Sequence, residues 1–417
     1  MIFIYFVLLF LNIVCIDIKL SLGKINNYTY PVVMTMYDNN DNNNEKNKNI
    51  DLICIYDIYN ICIKDKEKES IYVKSLDTII NYLQPNDRFT LMLFFSEIDI
   101  VIYKEIIGKK TTMIKEIATN IGNKTFLNQI LKKNSQCNNI NKTKRNYTLA
   151  IEELVDFLND NNIELNDDPN SLNYAQTIFF LTKGTNDVKS EYLTFFQNET
   201  NNNSYFDFSL YIFSFYCCNY QQNYVNLSFS RDGAFFPICN ETDYLNNQNF
   251  VNYMQKAIND TRKVKYKMSN ITIKSKYEIS YFYGRNFFPK YNITESNKSI
   301  SFLKFQFSTG KEYVYVFKIN LDDNITFGES ILNVTINYTY LNKKSGMSSK
   351  LLKYHKSINY FDFTKVKYCK ALLLEEIETI AQRNFSCLNI PDICTNISID
   401  KKNELSMVSF LREYFQK

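Results

Sequence analysis

The chain opens on an uncharged apolar run, Ile2 to Ile16. It is shorter than the roughly 20 residues a membrane helix needs. It fits the apolar core of a secretory signal peptide, an uncleaved anchor, or a buried strand. Residues 17–37 alternate weakly and predict one or two strands. Residues 38–49 (DNNDNNNEKNKN) read as a polar low-complexity loop. From there short apolar runs alternate with helically spaced stripes. Asp51–Ile58, Arg88–Phe95, Ile98–Tyr103, Ala175–Leu181 and Ser209–Phe215 predict strands. Val73, Leu76, Ile80 and Leu83 mark one helix; Ile151, Leu154 and Leu158 mark another. Further helices are expected within Ile114–Lys133 and over Phe250–Ile258. This order implies α/β architecture over 48–258, a mostly parallel sheet covered by helices on both faces.

The pattern then changes. Residues 262–342 hold strands such as Tyr277–Tyr283, Phe302–Phe307 and Tyr313–Ile319 with no helical stripe, which predicts an antiparallel β-sandwich. Residues 360–417 return to helical spacing, at Val366, Cys369, Leu373, Ile377 and Ile380, then at Leu405, Val408, Leu411 and Phe415.

Composition removes several function classes. The 417 residues carry a net charge of +4, too balanced for a nucleic-acid binder. The single histidine, His355, lies in Lys-Tyr-His-Lys-Ser, away from any nucleophile or ligand motif. Catalysis by Ser-His-Asp or Cys-His sets and multi-His metal chemistry are therefore not supported. No phosphate-binding Gly-rich loop and no nucleophile elbow occurs. The expectation is a protein without enzymatic activity and without a cofactor; a hydrolase or enzyme accessory subunit lacking any recognisable motif is the alternative class. The 32 Tyr and 33 Phe read as core filling, and Lys64–Lys68 (KDKEK) as a solvated loop.

The compartment leaves its own trace. With 55 Asn and 54 Ser or Thr, about seven Asn-x-Ser/Thr sequons are expected by chance. There are 17, at Asn27, Asn123, Asn141, Asn146, Asn198, Asn202, Asn226, Asn240, Asn259, Asn270, Asn292, Asn297, Asn324, Asn333, Asn337, Asn384 and Asn396. The reversed pattern, with the same composition, occurs four times. The excess predicts a glycoprotein of the secretory pathway, secreted, lumenal or at the cell surface. Over Ile331–Tyr340, Leu332, Val334, Ile336 and Tyr338 alternate with Asn333, Thr335, Asn337 and Thr339, so a strand there turns both sequon asparagines away from the core. Ten cysteines, one in the presumed leader, suggest disulfides in such a compartment. Cys387–Cys394 and a bridge from Cys217 or Cys218 to Cys239 are the pairings expected; Cys54, inside an apolar strand, reads as core.

Four segments in order carry a family resemblance. Asp51–Ile58 with its helix and Asn86-Asp87-Arg88-Phe89, then Phe179-Phe180-Leu181-Thr182-Lys183-Gly184, then Tyr211–Phe215, then Asp232-Gly233-Ala234-Phe235-Phe236 together resemble a von Willebrand factor type A (vWA) domain across residues 48–258. The resemblance implies a non-enzymatic role in protein–protein or adhesive binding. It also implies that the N-terminal strands join the following sandwich. Such domains usually hold Mg²⁺ at the carboxyl rim of the sheet through an Asp-x-Ser-x-Ser loop, a distant Thr and a distant Asp.

At the matching positions this sequence has Asp57, Tyr59, Ile61, Arg145 and Lys183. Only Asp57 keeps a metal-ligand type, and two positions are cationic. A unit positive charge about 4 Å from a divalent ion opposes it by several kcal/mol at an effective dielectric near 20. The resemblance therefore implies a degenerate site that binds no metal. Arg145 and Lys183 either pair with Asp57 and fill the metal's volume or capture an anionic group of a protein partner. Sugar on Asn141 or Asn146 would crowd that rim. A diverged domain with only a structural role is the alternative.

Overall fold

A computed structural model describes residues 16–23, 29–38, 48–57, 75–94, 98–106, 153–158, 174–182, 208–215, 224, 227–228, 231–238, 248–282, 292–294, 296–322, 324–341 and 345–354. In chain order the strands are β1 (Asp17–Leu22), β2 (Thr29–Tyr37), β3 (Asn49–Asp57), β4 (Arg88–Phe94), β5 (Ile98–Ile106), β6 (Tyr174–Thr182), β7 (Ser209–Phe215) and β8 (Ala234–Ile238). After them come β9 (Val264–Ser275), β10 (Ile279–Phe282), β11 (Asn292–Ile293), β12 (Ser299–Ser308), β13 (Tyr313–Asn320), β14 (Ser330–Tyr340) and β15 (Ser345–Lys353). Three helical segments are described: α1 (75–82), α2 (153–158) and α3 (Gln248–Arg262).

β5-β4-β3-β6-β7-β8 form a six-stranded sheet. All its pairings are parallel except β4 with β5, so the edge strand departs from the parallel arrangement. β3 shows why the apolar runs are continuous. Ile50, Leu52, Cys54 and Tyr56 face a layer made with Leu76, Ile79 and Ile80 of α1 and Met254, Ala257 and Ile258 of α3. Ile53 and Ile55 face the other layer, with Leu154, Val155 and Leu158 of α2. A strand buried on both faces needs apolar side chains at odd and even positions alike. Each such side chain, fully buried, contributes about 1.5–3 kcal/mol.

The remaining strands make a sandwich of two sheets, β1-β2-β13-β10 and β11-β12-β9-β14-β15. β2, from the N-terminal stretch, lies between β1 and β13. One core fills the sandwich, with Val32, Met34 and Phe317 from one sheet and Ile271, Ile273, Phe302 and Val334 from the other. Tyr266 sits at its end, edge-on to Tyr338 at 4.9 Å and to Phe307 at 5.8 Å.

The observed limits differ from those expected. Ile16, grouped with the apolar leader, packs in the sandwich core. Asp38 was expected in the polar loop but is buried, accepting a hydrogen bond from the Tyr266 hydroxyl at 2.8 Å and pairing with Lys265 at 3.2 Å. The sandwich does not stop at 342. β15 extends it to Lys353, and SGMSSKLLK escapes a hydrophobicity reading because only Ser348 and Leu352 of its residues are buried. Arg262 belongs to α3. The helices expected in Ile114–Lys133 and 360–417, and residues 1–15, lie outside the described residues.

The two units meet at the amino ends of the parallel strands. One residue, Lys263, separates α3 from β9, and its carbonyl accepts from the Thr309 N–H at 2.8 Å. Gln306 of β12 reaches into the α/β sheet. Its Nε2 donates to the Gln176 carbonyl at 2.8 Å, its Oε1 accepts from the Ser209 hydroxyl at 2.9 Å, and its N–H donates to Asp232 Oδ2 at 2.9 Å. Lys304, also on β12, pairs with the same Asp232. Burial pushes the Lys304 ammonium down in pKa, and Asp232 opposes that shift. Asp232 takes the left-handed conformation (φ 55°) beside Gly233, where any Cβ would stand 1.7 Å from the Leu210 carbonyl oxygen. This tight turn holds Asp232 toward β12.

A second lock closes the same edge. The Asp87 carboxylate accepts from the Ile50 N–H at 2.8 Å, the Gln84 N–H at 2.6 Å and Arg262 Nη1 at 3.0 Å, and pairs with Nη2 as well. Arg262 also donates to the Tyr82 carbonyl at 3.2 Å. Both side chains are buried. Asp87→Ala leaves the guanidinium buried without its counter-charge, which costs about 3–5 kcal/mol and moves the urea unfolding midpoint down accordingly.

In the sandwich, Glu329 ties two connections together, accepting from Lys276, from the Tyr277 hydroxyl at 2.7 Å and from the Thr326 N–H at 3.1 Å. These donors, Lys276 foremost, hold its carboxyl down at about 2 against an ordinary 4.5. A depressed carboxylate contributes stability above pH 4.5 and loses it as the pH falls toward 2. Thermal unfolding across that window should show a pH slope in the native chain that Glu329→Gln reduces.

Candidate functional site

Six residue steps along β3 lead from the amino-end interface at Asp51 to the opposite rim at Asp57, about 20 Å at strand spacing. At that carboxyl rim the register sets three oxygen-bearing side chains in a row. Tyr56 is opposite Leu181, so Asp57 stands beside Thr182; Thr182 in turn is opposite Ser214. All three continue the parity of Ile53 and Ile55, Ile178, and Leu210 and Ile212, so they face the α2 layer. All three are buried. The Thr182 hydroxyl donates to Asp57 Oδ2 at 2.9 Å. The Ser214 hydroxyl has no hydrogen-bond partner among the described residues. On the other face of the same rim, the Tyr56 and Ser75 hydroxyls meet at 2.9 Å where α1 begins.

Of the positions singled out by resemblance, only Asp57 is described. Tyr59, Ile61, Arg145 and Lys183 lie outside the described residues, as do the cysteines expected to pair (Cys217, Cys218, Cys239, Cys387, Cys394). Cys54 is a free thiol at the centre of the core; burial pushes its pKa up and keeps it in the unreactive protonated form. Thr182 and Ser214 were not singled out as site residues. A register argument would have found them, since each is a hydroxyl near the carboxyl end of an apolar strand neighbouring β3.

A Mg²⁺ ion demands near-octahedral oxygen ligation. The described rim offers one carboxylate, already engaged by Thr182, and two hydroxyls. No group of three or more His, Cys, Asp or Glu able to hold a metal occurs among the described residues. Among the described residues of the rim, the Ser214 hydroxyl can donate and accept a hydrogen bond. It presents no nucleophile–base pair.

The sequon asparagines divide by location. Asn259 on α3, Asn270 on β9, Asn333 and Asn337 on β14, and Asn324 are exposed. Asn297 is half-buried, in a left-handed turn (φ 51°), with its side-chain amide toward Glu278. Asn292 begins the short strand β11. The other ten lie outside the described residues. Among the described residues no helix is long and apolar enough to cross a membrane.

Comparison with solved structures decides the fold. A von Willebrand factor type A protein from Catenulispora acidiphila superposes with a TM-score of 0.53 at 8% identity, over 87% of this chain and 79% of its own. The first half of the chain has a vWA fold. The ArnB paralog VWA2 from Sulfolobus acidocaldarius gives a TM-score of 0.47 at 12% identity, over 88% of this chain and 87% of its own. The human COPII-coat protein Sec24c gives 0.44 at 12% identity, over 87% of this chain and 55% of its own. No family model and no curated protein matches the sequence. At these identities the likeness concerns the fold alone, and the vWA-like rim is judged on its own residues.

Thr182→Val keeps the shape of β6 but deprives the buried Asp57 carboxylate of a donor. The unmet hydrogen bond costs about 1–3 kcal/mol, to be read from urea unfolding of the variant against the native chain.

Proposed function

We propose that the chain is a non-enzymatic glycoprotein of the secretory pathway whose vWA-like domain binds a protein partner at the carboxyl rim without a metal ion. The observation that carries this reading is the Thr182–Asp57 bond. The Thr182 hydroxyl donates to the one acidic residue retained at the metal position. The residues at the other positions, Tyr59, Ile61, Arg145 and Lys183, fit the same reading by their chemistry. Lys183 directly follows Thr182 in sequence, where the family pattern has an acidic metal ligand.

The rim suits a binding role because of where the sandwich sits. The Gln306, Lys304 and Arg262 contacts all gather at the amino ends of the strands, so they leave the far rim uninvolved. Open α/β sheets offer ligands the crevice beyond their strand carboxyl ends. The basic residue types at the Arg145 and Lys183 positions suit a carboxylate or other anionic group of a partner. The sequon excess and the exposed placement of Asn259, Asn270, Asn324, Asn333 and Asn337 support the secretory route.

Two measurements test the reading. Calorimetric titration of the full chain with Mg²⁺ should give no binding heat, and a saturable Mg²⁺ isotherm abolished by Asp57→Asn would overturn metal independence. Capture of surface or secreted partners should survive EDTA and fall with the double variant Lys183→Asp, Arg145→Thr. Undiminished capture by that variant would remove the basic rim from the binding role.

A further inference from the structure

Among the residues whose side chains are described, two exposed apolar residues of β15 lie on the outer face of the five-stranded sandwich sheet. Met347 is 65% exposed and Leu351 46%, both on the edge strand β15. Apolar side chains left exposed on an edge strand invite association with another chain. The neighbouring strand answers both residues position by position. In the β14–β15 register Asn333 stands opposite Leu351, and Asn337 opposite Met347. Directly opposed residues on one sheet face have Cβ atoms about 5 Å apart. Both asparagines are exposed, and each heads a sequon, Asn333-Val-Thr335 and Asn337-Tyr-Thr339. The two-residue period puts each threonine on the same outward face as its asparagine, and Thr335 and Thr339 are half-exposed. Asn270, heading a third sequon, stands opposite Asn337 on β9.

We infer that Asn333 and Asn337 are N-glycosylation sites whose oligosaccharides roof Leu351 and Met347 and close this sheet face to apolar association with another chain. This rests on the secretory reading above. In the transfer, each asparagine amide nitrogen bonds to the anomeric carbon of a polyprenyl-diphosphate-linked oligosaccharide. The anomeric C–O bond breaks, the polyprenyl diphosphate leaves with the bonding electrons, and one amide proton is released. Asn333 and Asn337 are about 13 Å apart along the strand, so each glycan has its own ground. Asn270 lies within about 5 Å of Asn337, and one chain at that pair covers both. The inner face needs no such cover, because Leu332, Val334, Ile336 and Tyr338 are buried in the sandwich core. The partner surface then lies elsewhere than on this sheet.

The test uses the full chain expressed in eukaryotic secretory cells. Enzymatic release of N-glycans in ¹⁸O water, followed by peptide mass spectrometry, should place the label at Asn333 and Asn337. The variant Asn333→Gln, Asn337→Gln should bind severalfold more of an apolar fluorescent dye and sediment as self-associated species. Adding Met347→Ser and Leu351→Ser should return both readings to those of the glycosylated chain. Label at other sequons but at neither of these overturns the inference and leaves the secretory route standing. A chain that stays in the cytosol with no label anywhere overturns the secretory route and the inference with it. Labelled asparagines whose loss changes neither dye binding nor sedimentation remove the shielding role.

Discussion

The architecture depends on a single buried carboxylate at the foot of the parallel sheet. Asp87 accepts from β3 through Ile50, from the turn after α1 through Gln84, and from the end of α3 through Arg262. Three parts of the chain, far apart in sequence, are thereby fixed at one point. Lys263 alone then carries the backbone into the sandwich. With so short a junction the orientation of α3 dictates that of β9, and Asp232 with Gln306 secures the arrangement from the β8 side. Such buried charges contribute little net stability over apolar groups of like shape, but losing one partner is costly. Their consequence is geometric: the sandwich hangs from the amino edge, and the carboxyl rim is set at the other end of the domain.

The α/β half was readable in sequence because strands buried on both faces must be apolar throughout. β3, β4, β6 and β7 could hardly read otherwise, and their order carried the resemblance to a vWA domain. The sandwich was harder. β14 alternates cleanly, whereas β9 (VKYKMSNITIKS) mixes charged and apolar residues and β15 is mostly polar. β9 is held between β12 and β14, and β15 by its pairing to β14. Asp38 was legible only as a loop residue, because its partners Lys265 and Tyr266 are more than 220 positions away.

The rim divides in the same way. Asp57 was found because a motif points to it. Thr182 was quoted within a motif but passed over, since resemblance directed attention to the next residue, Lys183. What singles out Thr182 is register: in a parallel pair the neighbour of the last β3 residue shares its face, and no spacing rule along one strand contains that fact. Ser214 follows by the same step across β6 and β7. The contacts between the two units, such as Ser209 with Gln306, were equally invisible in sequence.

The placement of β2 has a cost during synthesis. β2 is buried along nearly its whole length and takes its place between β1 and β13, although Tyr313, where β13 begins, follows about 280 residues after Tyr37. At about 5–20 residues per second, a ribosome needs roughly 15–60 s to supply that partner. Throughout the interval a sticky, half-paired ribbon waits while the whole α/β unit is built in between. Until translation has passed β13, Val32 and Met34 have no Phe317 to pack against and the sandwich core stays open.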